Sequence, residues 1–160
     1  FNEKNIYTAD IYEWFKYNKN RTLPYNFIPI KKNKPLPIKN NKFDIVSLIM
    51  VLHHVENIDN LLREMNRIVK KGGFIYLVEH DVFTDIDKML VDIEHSLYET
   101  DQEQFKKNYY CKCFNYLERR LLFKNYGFEF VWGDFISDDI YKEIGSTRAV
   151  HDFYVKVKDI

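Results

Sequence analysis

The stretch FDIVSLIMVLHHVENIDNLLREMNRIVKKGGFIYLVEHD, residues 43–81, determines the predicted fold. It opens with a run from Phe43 to Leu52 that is apolar except for Asp44 and Ser47, and a second apolar run begins at Phe74 and leads into the polar end of the segment at Asp81. Continuous rather than alternating hydrophobicity is typical of parallel strands that are covered on both faces. The two runs therefore predict two buried strands.

A helix is predicted between these strands. Apolar side chains recur at spacings of three and four from Ile58 to Val69, which is the pattern of an amphipathic helix. Asn57 is expected to cap the first turn, and Gly72-Gly73 is expected to end the helix. The resulting strand–helix–strand unit has the length of a right-handed parallel crossover.

The rest of the chain extends this unit into one α/β domain, residues 1–160. The sheet is expected to be parallel in the middle and antiparallel at its end. The further predicted elements are a strand at Asn5 to Asp10, a short helix or turn after it, an edge strand or irregular segment at Tyr25 to Ile30, helices at Asp85 to Lys107 and Phe114 to Asn125, and a terminal strand pair at Phe128 to Asp134 and His151 to Lys158.

Composition bounds the class of protein. With 46% hydrophobic and 17% aromatic residues, the chain is globular rather than disordered. Its 24 basic and 24 acidic residues balance, which argues against a protein whose main function is to bind the phosphate backbone of a nucleic acid. A local basic segment nevertheless exists, since Lys31 to Lys42 contains five lysines and no acid.

Cys111 and Cys113 are expected to be two reduced thiols. A disulfide between them would close a very small ring with poor geometry, and a zinc site would need two more ligands at suitable spacing. No signal peptide is visible and no apolar run is long enough to cross a bilayer. We therefore expect a cytoplasmic protein that does not enter a membrane.

Residues 36–81 resemble the class I S-adenosylmethionine-dependent methyltransferases, in particular the type-11 family. The resemblance rests on LPI at Leu36 to Ile38, then FDIVSLIMVLHHVEN, then LLREMNRIVKKGG running into FIYLVEHD. It implies a Rossmann-like methyltransferase sheet, mostly parallel with an antiparallel C-terminal strand pair. It also implies S-adenosylmethionine as the cofactor.

The resemblance further implies where the cofactor binds. In the family, the acid that ends the second strand binds the ribose hydroxyls, and Asp10 resembles it, although capping of the following turn is an equally good role. Where the family often has an aspartate near the adenine, this sequence has Lys32, with Asn33 as the nearest substitute. The predicted cofactor-binding residues are Asp10, Ile11, Lys32, Asn33, Ser47, Leu48 and His53.

One part of the family pattern has no counterpart in this sequence. The family's first strand and glycine-rich loop are absent, and the five glycines form no GxGxG. The chain is therefore expected to be truncated at its N-terminus and to begin just before the second strand. The motif would then be supplied upstream in a longer protein.

The clusters HH and EHD are the candidate chemical groups. In open parallel sheets a ligand lies beyond the carboxyl ends of the strands, which is where both clusters fall. The predicted catalytic residues are His54, Glu79, His80 and Asp81. A lid over the cleft is predicted at Asp92 to Phe105, with His95 among the side chains that could meet a substrate.

No metal is expected at these clusters. Adjacent residues such as His53 and His54 point in different directions in both strands and helices, so the pair chelates poorly. A metal hydrolase that uses His53, His54 and the EHD group remains a third possibility, which elemental analysis would test.

The predicted function is transfer of a methyl group to an acceptor that is a small molecule or RNA. The alternative is a catalytically inactive Rossmann-like module that acts as a binding or stimulatory subunit. A larger parent chain or a partner subunit is possible under either hypothesis.

Overall fold

A computed structural model of the chain describes residues 5–11, 26–31, 34–100, 110–135 and 149–160. It divides into two compact units, residues 1–39 and residues 40–160. The prediction of one domain over residues 1–160 stays a prediction.

The first unit contains two short parallel strands, β1 (Thr8–Asp10) and β2 (Phe27–Pro29). Pro29 is the last residue of β2, where its missing N–H interrupts no ladder. The next residue, Ile30, donates its N–H to the carbonyl of Asp10 at 2.8 Å. The strand predicted at Asn5 to Asp10 is therefore confirmed, and the segment predicted as an edge strand or an irregular segment at Tyr25 to Ile30 contains a strand. The helix or turn predicted after Asp10 lies outside the described residues.

The second unit contains four strands and three helices among its described residues, together with a 3₁₀ turn. In chain order they are β3 (Phe43–Ile49), the 3₁₀ turn (Leu52–His54), α1 (Ile58–Ile68), β4 (Val69–His80), α2 (Asp85–Thr100), α3 (Tyr116–Asn125), β5 (Phe128–Phe135) and β6 (Ala149–Lys156).

The strands form one mixed sheet in the order β3-β4-β6-β5. β3 and β4 are parallel, whereas β6 is antiparallel to both of its neighbours, β4 and β5. The α/β class, the parallel crossover and the antiparallel C-terminal pair are thereby confirmed. The last strand in sequence lies inside the sheet, between β4 and β5.

Helix α1 begins as predicted but ends earlier. The side chain of Asn57 accepts the N–H of Asn60 at 3.0 Å, as an N-cap does. The expectation that Gly72-Gly73 ends the helix is wrong, because α1 ends at Ile68 and both glycines lie in β4.

The glycines instead shape an irregularity between β3 and β4. Gly72 has φ +78°, and a Cβ on Gly73 would lie 2.8 Å from the carbonyl oxygen of Asp44. The register of the pair shifts at this point, between Phe43 and Ile45. Only a residue without a side chain allows so close an approach of the two backbones.

The expectation that β3 is covered on both of its faces is also wrong. Leu48 is buried, but Ile45 is 56% exposed and Ile49 is 57% exposed. Within the described part of the chain, β3 pairs only with β4 and forms the edge of the sheet. A largely apolar sequence therefore did not guarantee burial of a strand at the edge of the sheet.

The core lies where α1 and α3 pack on the sheet. Phe123 of α3 stacks on Tyr154 of β6 with ring centroids 4.2 Å apart, and both are fully buried. The buried ammonium of Lys156 donates to the carbonyls of Asn66 and Val69, at 2.6 and 2.9 Å. It thus ties β6 to the C-terminal end of α1. No helix among the described residues is long and apolar enough to span a membrane.

Candidate functional site

The chain turns sharply where β3 ends, and this turn forms one wall of the site. Met50 has φ +52°, a region that side chains other than glycine rarely adopt. Its N–H donates to the carbonyl of Val78 in β4 at 2.9 Å. The 3₁₀ turn follows directly and places His53 and His54 at the carboxyl ends of β3 and β4.

Glu79 fixes this turn from the end of β4. Its Oε1 accepts the N–H of Leu52 at 2.6 Å, and its Oε2 lies 2.5 Å from Nδ1 of His53. Glu79 and His53 are both almost fully buried. Because a carboxylate accepts, Nδ1 of His53 donates, and the Nε2 lone pair of that ring points away from Glu79.

His95 reaches the same place from α2. Its Nδ1 donates to the carbonyl of Val91 at 2.8 Å, since a carbonyl oxygen can only accept. Its Nε2 lies 3.2 Å from Nε2 of His53. The lid prediction thus named one residue that does meet the histidine cluster.

Four imidazole rings lie close together here, those of His53, His54, His80 and His95. The distances between their ring centroids are 4.0 to 5.5 Å for five pairs of rings. Burial lowers the pKa of His80 to about 4, so this ring is neutral at physiological pH. Partial burial of its ring likewise lowers the pKa of His54 to about 4, although much of that residue is exposed. Nδ1 of His54 lies 3.4 Å from the carbonyl of Tyr110.

A buried ion cluster lies next to the histidines. Nη1 of Arg119 is 3.1 Å from Oδ1 of Asp81, an ion pair without the geometry of a hydrogen bond. Nε of Arg119 donates to Asp152 at 3.2 Å, and Nη1 donates to the carbonyl of His80 at 3.0 Å. Burial raises the pKa of Asp81 above its usual value, although the Arg119 charge opposes that shift.

Cys111 and Cys113 lie on a segment that runs beside the 3₁₀ turn. Their sulfur atoms are 3.5 Å apart and unbridged. The N–H of Lys112, between them, donates to the carbonyl of His53 at 2.9 Å. Contact with Cys111 and burial together raise the pKa of the Cys113 thiol.

The structure brings only some of the predicted site residues together. His53, His54, Glu79 and His80 come together at the strand ends, and Asp81 follows them in the ion cluster. Ser47 is exposed and Leu48 is buried within β3. Asp10 and Ile11 lie in the first unit, and Lys32 and Asn33 lie outside the described residues. The roles assigned to all of them stay predictions.

Two buried residues of the ion cluster, Arg119 and Asp152, were missed from the sequence. The available signal was weak: Arg119 is one of five charged residues from Lys112 to Lys124, both included, and resembles an exposed helix residue. Asp152 lies in an alternating strand whose polar positions suggest solvent.

The comparisons with known proteins support the predicted class. Residues 4–77 match the family described as methyltransferase domain. No curated protein sequence matches the chain. The matched segment contains β1, β2, β3, α1 and most of β4.

Solved structures share the fold at low sequence identity. A chain from the complex between the Haloferax volcanii Trm112 methyltransferase activator and its methyltransferase is 14% identical, with a TM-score of 0.68 over 95% of this chain and 71% of that chain.

An S-adenosylmethionine-dependent methyltransferase from Methanosarcina mazei is 16% identical, with a TM-score of 0.67 over 94% and 81%. One from Mesorhizobium loti is 13% identical, with a TM-score of 0.64 over 93% and 79%. The family match and the shared fold confirm the resemblance to class I S-adenosylmethionine-dependent methyltransferases.

Proposed function

We propose that this protein binds S-adenosylmethionine and transfers its methyl group to an acceptor. One observation carries the proposal: the segment that matches the methyltransferase family, residues 4–77, contains β3, His53 and most of β4, and the histidine–glutamate cluster lies at the carboxyl ends of these two parallel strands. Ligands of open α/β sheets bind at this edge.

Asp10 fits a role in holding the cofactor. It is the last residue of a parallel strand and is half-buried. A carboxylate there could accept two hydrogen bonds from a vicinal diol, as the ribose presents. When bound, S-adenosylmethionine supplies an electrophilic methyl group on sulfur.

The residues at the strand ends would act mainly by positioning. Methyl transfer needs an acceptor lone pair in line with the methyl–sulfur bond, in a pocket with little water. Glu79 and His53 form a rigid buried pair, while His54 is the exposed member of the pair of adjacent histidines. We propose that His54 faces the acceptor.

The acceptor, a small molecule or RNA, stays open, as does the predicted cytoplasmic location. A partner subunit is also part of the proposal, supported by the Haloferax structure that was solved with an activator. The activator was observed with the Haloferax protein, and its extension to this chain is a hypothesis.

Calorimetric titration of S-adenosylhomocysteine tests cofactor binding. It should be carried out on the 160-residue chain and on a version extended upstream of Phe1. Asp10→Asn is expected to weaken binding about tenfold or more, the cost of a hydrogen bond to a charged group. Asp44→Asn is the control, because Asp44 is highly exposed and lies at the end of β3 away from the histidine cluster. This variant should bind normally.

Absence of binding to both versions would contradict the proposal and favour an inactive binding or stimulatory module. Normal binding by Asp10→Asn would contradict only the role assigned to Asp10.

A further inference from the structure

We propose that His53, His80 and His95 together bind one divalent transition-metal ion, for which Zn²⁺ and Co²⁺ are suitable probes. One ligand atom from each of the three side chains lies within 4.8 Å of the other two. The histidines come from the 3₁₀ turn, the end of β4 and α2. The inference concerns metal binding and does not depend on methyl transfer.

The contact between His53 and His95 calls for a positive charge. Nδ1 of His53 donates to Glu79, and Nδ1 of His95 donates to Val91. In neutral rings, both Nε2 atoms then carry lone pairs, yet they lie only 3.2 Å apart. Two lone pairs repel at this distance unless a proton or a metal ion lies between them.

The distance matches a shared metal. Two nitrogens bound to tetrahedral Zn²⁺ at about 2.0–2.1 Å each are about 3.3 Å apart. The 3.2 Å between Nε2 of His53 and Nε2 of His95 agrees with this value. The ligand atom of His80 lies within 4.8 Å of the other two, so binding of the same ion by all three requires a movement of its side chain.

Both of these histidines also have the supporting partner that metal-bound histidines usually have. Glu79 orients the ring of His53 as a buried carboxylate, and the Val91 carbonyl orients that of His95. The buried negative charge of Glu79 would offset part of the charge of the ion. Three histidines leave a fourth tetrahedral position for water or for a substrate oxygen or nitrogen.

The expectation of no metal rested on the adjacency of His53 and His54, and that geometric argument still holds for this pair. The ligand group does not include His54, whose Nδ1 lies beside the carbonyl of Tyr110. Histidines that are distant in sequence replace it. The alternative is a proton shared between His53 and His95, with His53 as an imidazolium beside Glu79.

Cobalt spectroscopy separates these alternatives. One equivalent of Co²⁺ added to the metal-free chain is expected to give the visible absorption of a tetrahedral site, and one equivalent of Zn²⁺ should abolish it. His95→Ala should weaken binding by more than about 100-fold, since loss of a ligand exceeds the 10–100-fold cost of losing a supporting partner.

His151→Ala is the matched control, because His151 lies against Tyr76 and outside the ligand group. It should bind Co²⁺ like the unchanged chain. Circular dichroism without metal verifies folding, and His80→Ala replaces His95→Ala if the latter does not fold.

Two results would overturn the proposal. The first is a folded chain that shows no visible cobalt absorption, which would leave the shared proton as the explanation. The second is a thiolate-to-cobalt absorption that survives His95→Ala and is lost in Cys111→Ser, which would assign the ion to the thiols.

Discussion

Glu79 Oε1 accepts the backbone N–H of Leu52 at 2.6 Å, so the end of β4 fixes the first residue of the turn that carries His53. The second carboxylate oxygen is occupied by His53 itself. The sheet therefore determines both the position of the turn and the orientation of its buried ring.

Replacing Glu79 by glutamine is expected to destabilise the fold. One of the two buried donors, the Leu52 N–H or His53 Nδ1, would then face an amide nitrogen instead of an acceptor. We expect the free energy of unfolding to fall by about 1–3 kcal/mol, as measured by urea denaturation. Glu129→Gln, on an exposed position of β5, should change it little. Equal effects of the two substitutions would contradict the role of Glu79.

Arg119→Met tests the buried ion cluster. The substitution keeps the apolar part of the side chain but leaves Asp81 and Asp152 buried without their cation. A loss of about 3–5 kcal/mol in the free energy of unfolding is expected. Arg63→Met removes an arginine from an exposed pair with Asp59 and should have little effect. A stable Arg119→Met variant would show that the cluster contributes no net stability.

Gly127→Ala and Gly72→Ala form a matched pair. Both glycines have positive φ, +83° and +78°, so each alanine incurs a backbone cost of about 1–2 kcal/mol. Only at Gly127 would the added Cβ also contact other atoms, of which the carbonyl oxygen of Lys158, at 2.5 Å, and Nδ2 of Asn66, at 2.8 Å, are the nearest. Thermal unfolding should therefore show a larger loss for Gly127→Ala. Similar losses would mean that the C-terminal segment moves aside without cost.

The Asp59 carboxyl provides a test by pH. Hydrogen bonds from Arg63, and then from Tyr126, lower its pKa below the usual 3.8. This stabilisation is complete above the unfolded pKa and is lost as the pH falls through the folded one. Tyr126→Phe removes the 2.5 Å bond from the hydroxyl, and the pKa of Asp59 should rise toward 3.8 in a carboxyl NMR titration.

Asp44 supplies the internal reference for that titration. Its pKa is lowered by Lys70 and not by Tyr126, so Tyr126→Phe should leave it unchanged. An unaltered Asp59 pKa in the variant would show that Arg63 accounts for the whole shift.

The sequence predicted the secondary-structure elements better than it predicted contacts between residues that are distant in sequence. The spacing from Ile58 to Ile68 and the Asn57 cap are local features, and both were correct. The prediction that Gly72-Gly73 ends the helix failed because the glycines allow β4 to lie close to the backbone of Asp44. No local sequence pattern reveals such a long-range contact.

Strand β6 shows the same limit at the site level. Buried and less buried residues alternate clearly along this strand, but three of the residues on its buried face are Asp152, Tyr154 and Lys156, whose polar groups would suggest exposure to solvent. Asp152 and Lys156 are buried with distant partners, Arg119 and the end of α1, and the hydroxyl of Tyr154 donates to Asp152. The meeting of His95 with His53 is likewise a long-range contact, made across 42 residues.

The interior position of β6 has a consequence for protein synthesis. Among the described strands, β5 pairs only with β6. It therefore remains unpaired until the ribosome has synthesised the residues up to Lys156. The Asp152 partner of Arg119 also arrives only then. During translation, the nascent chain therefore exposes an incomplete sheet until almost its last described residue, and we expect this interval to be when a chaperone is most needed.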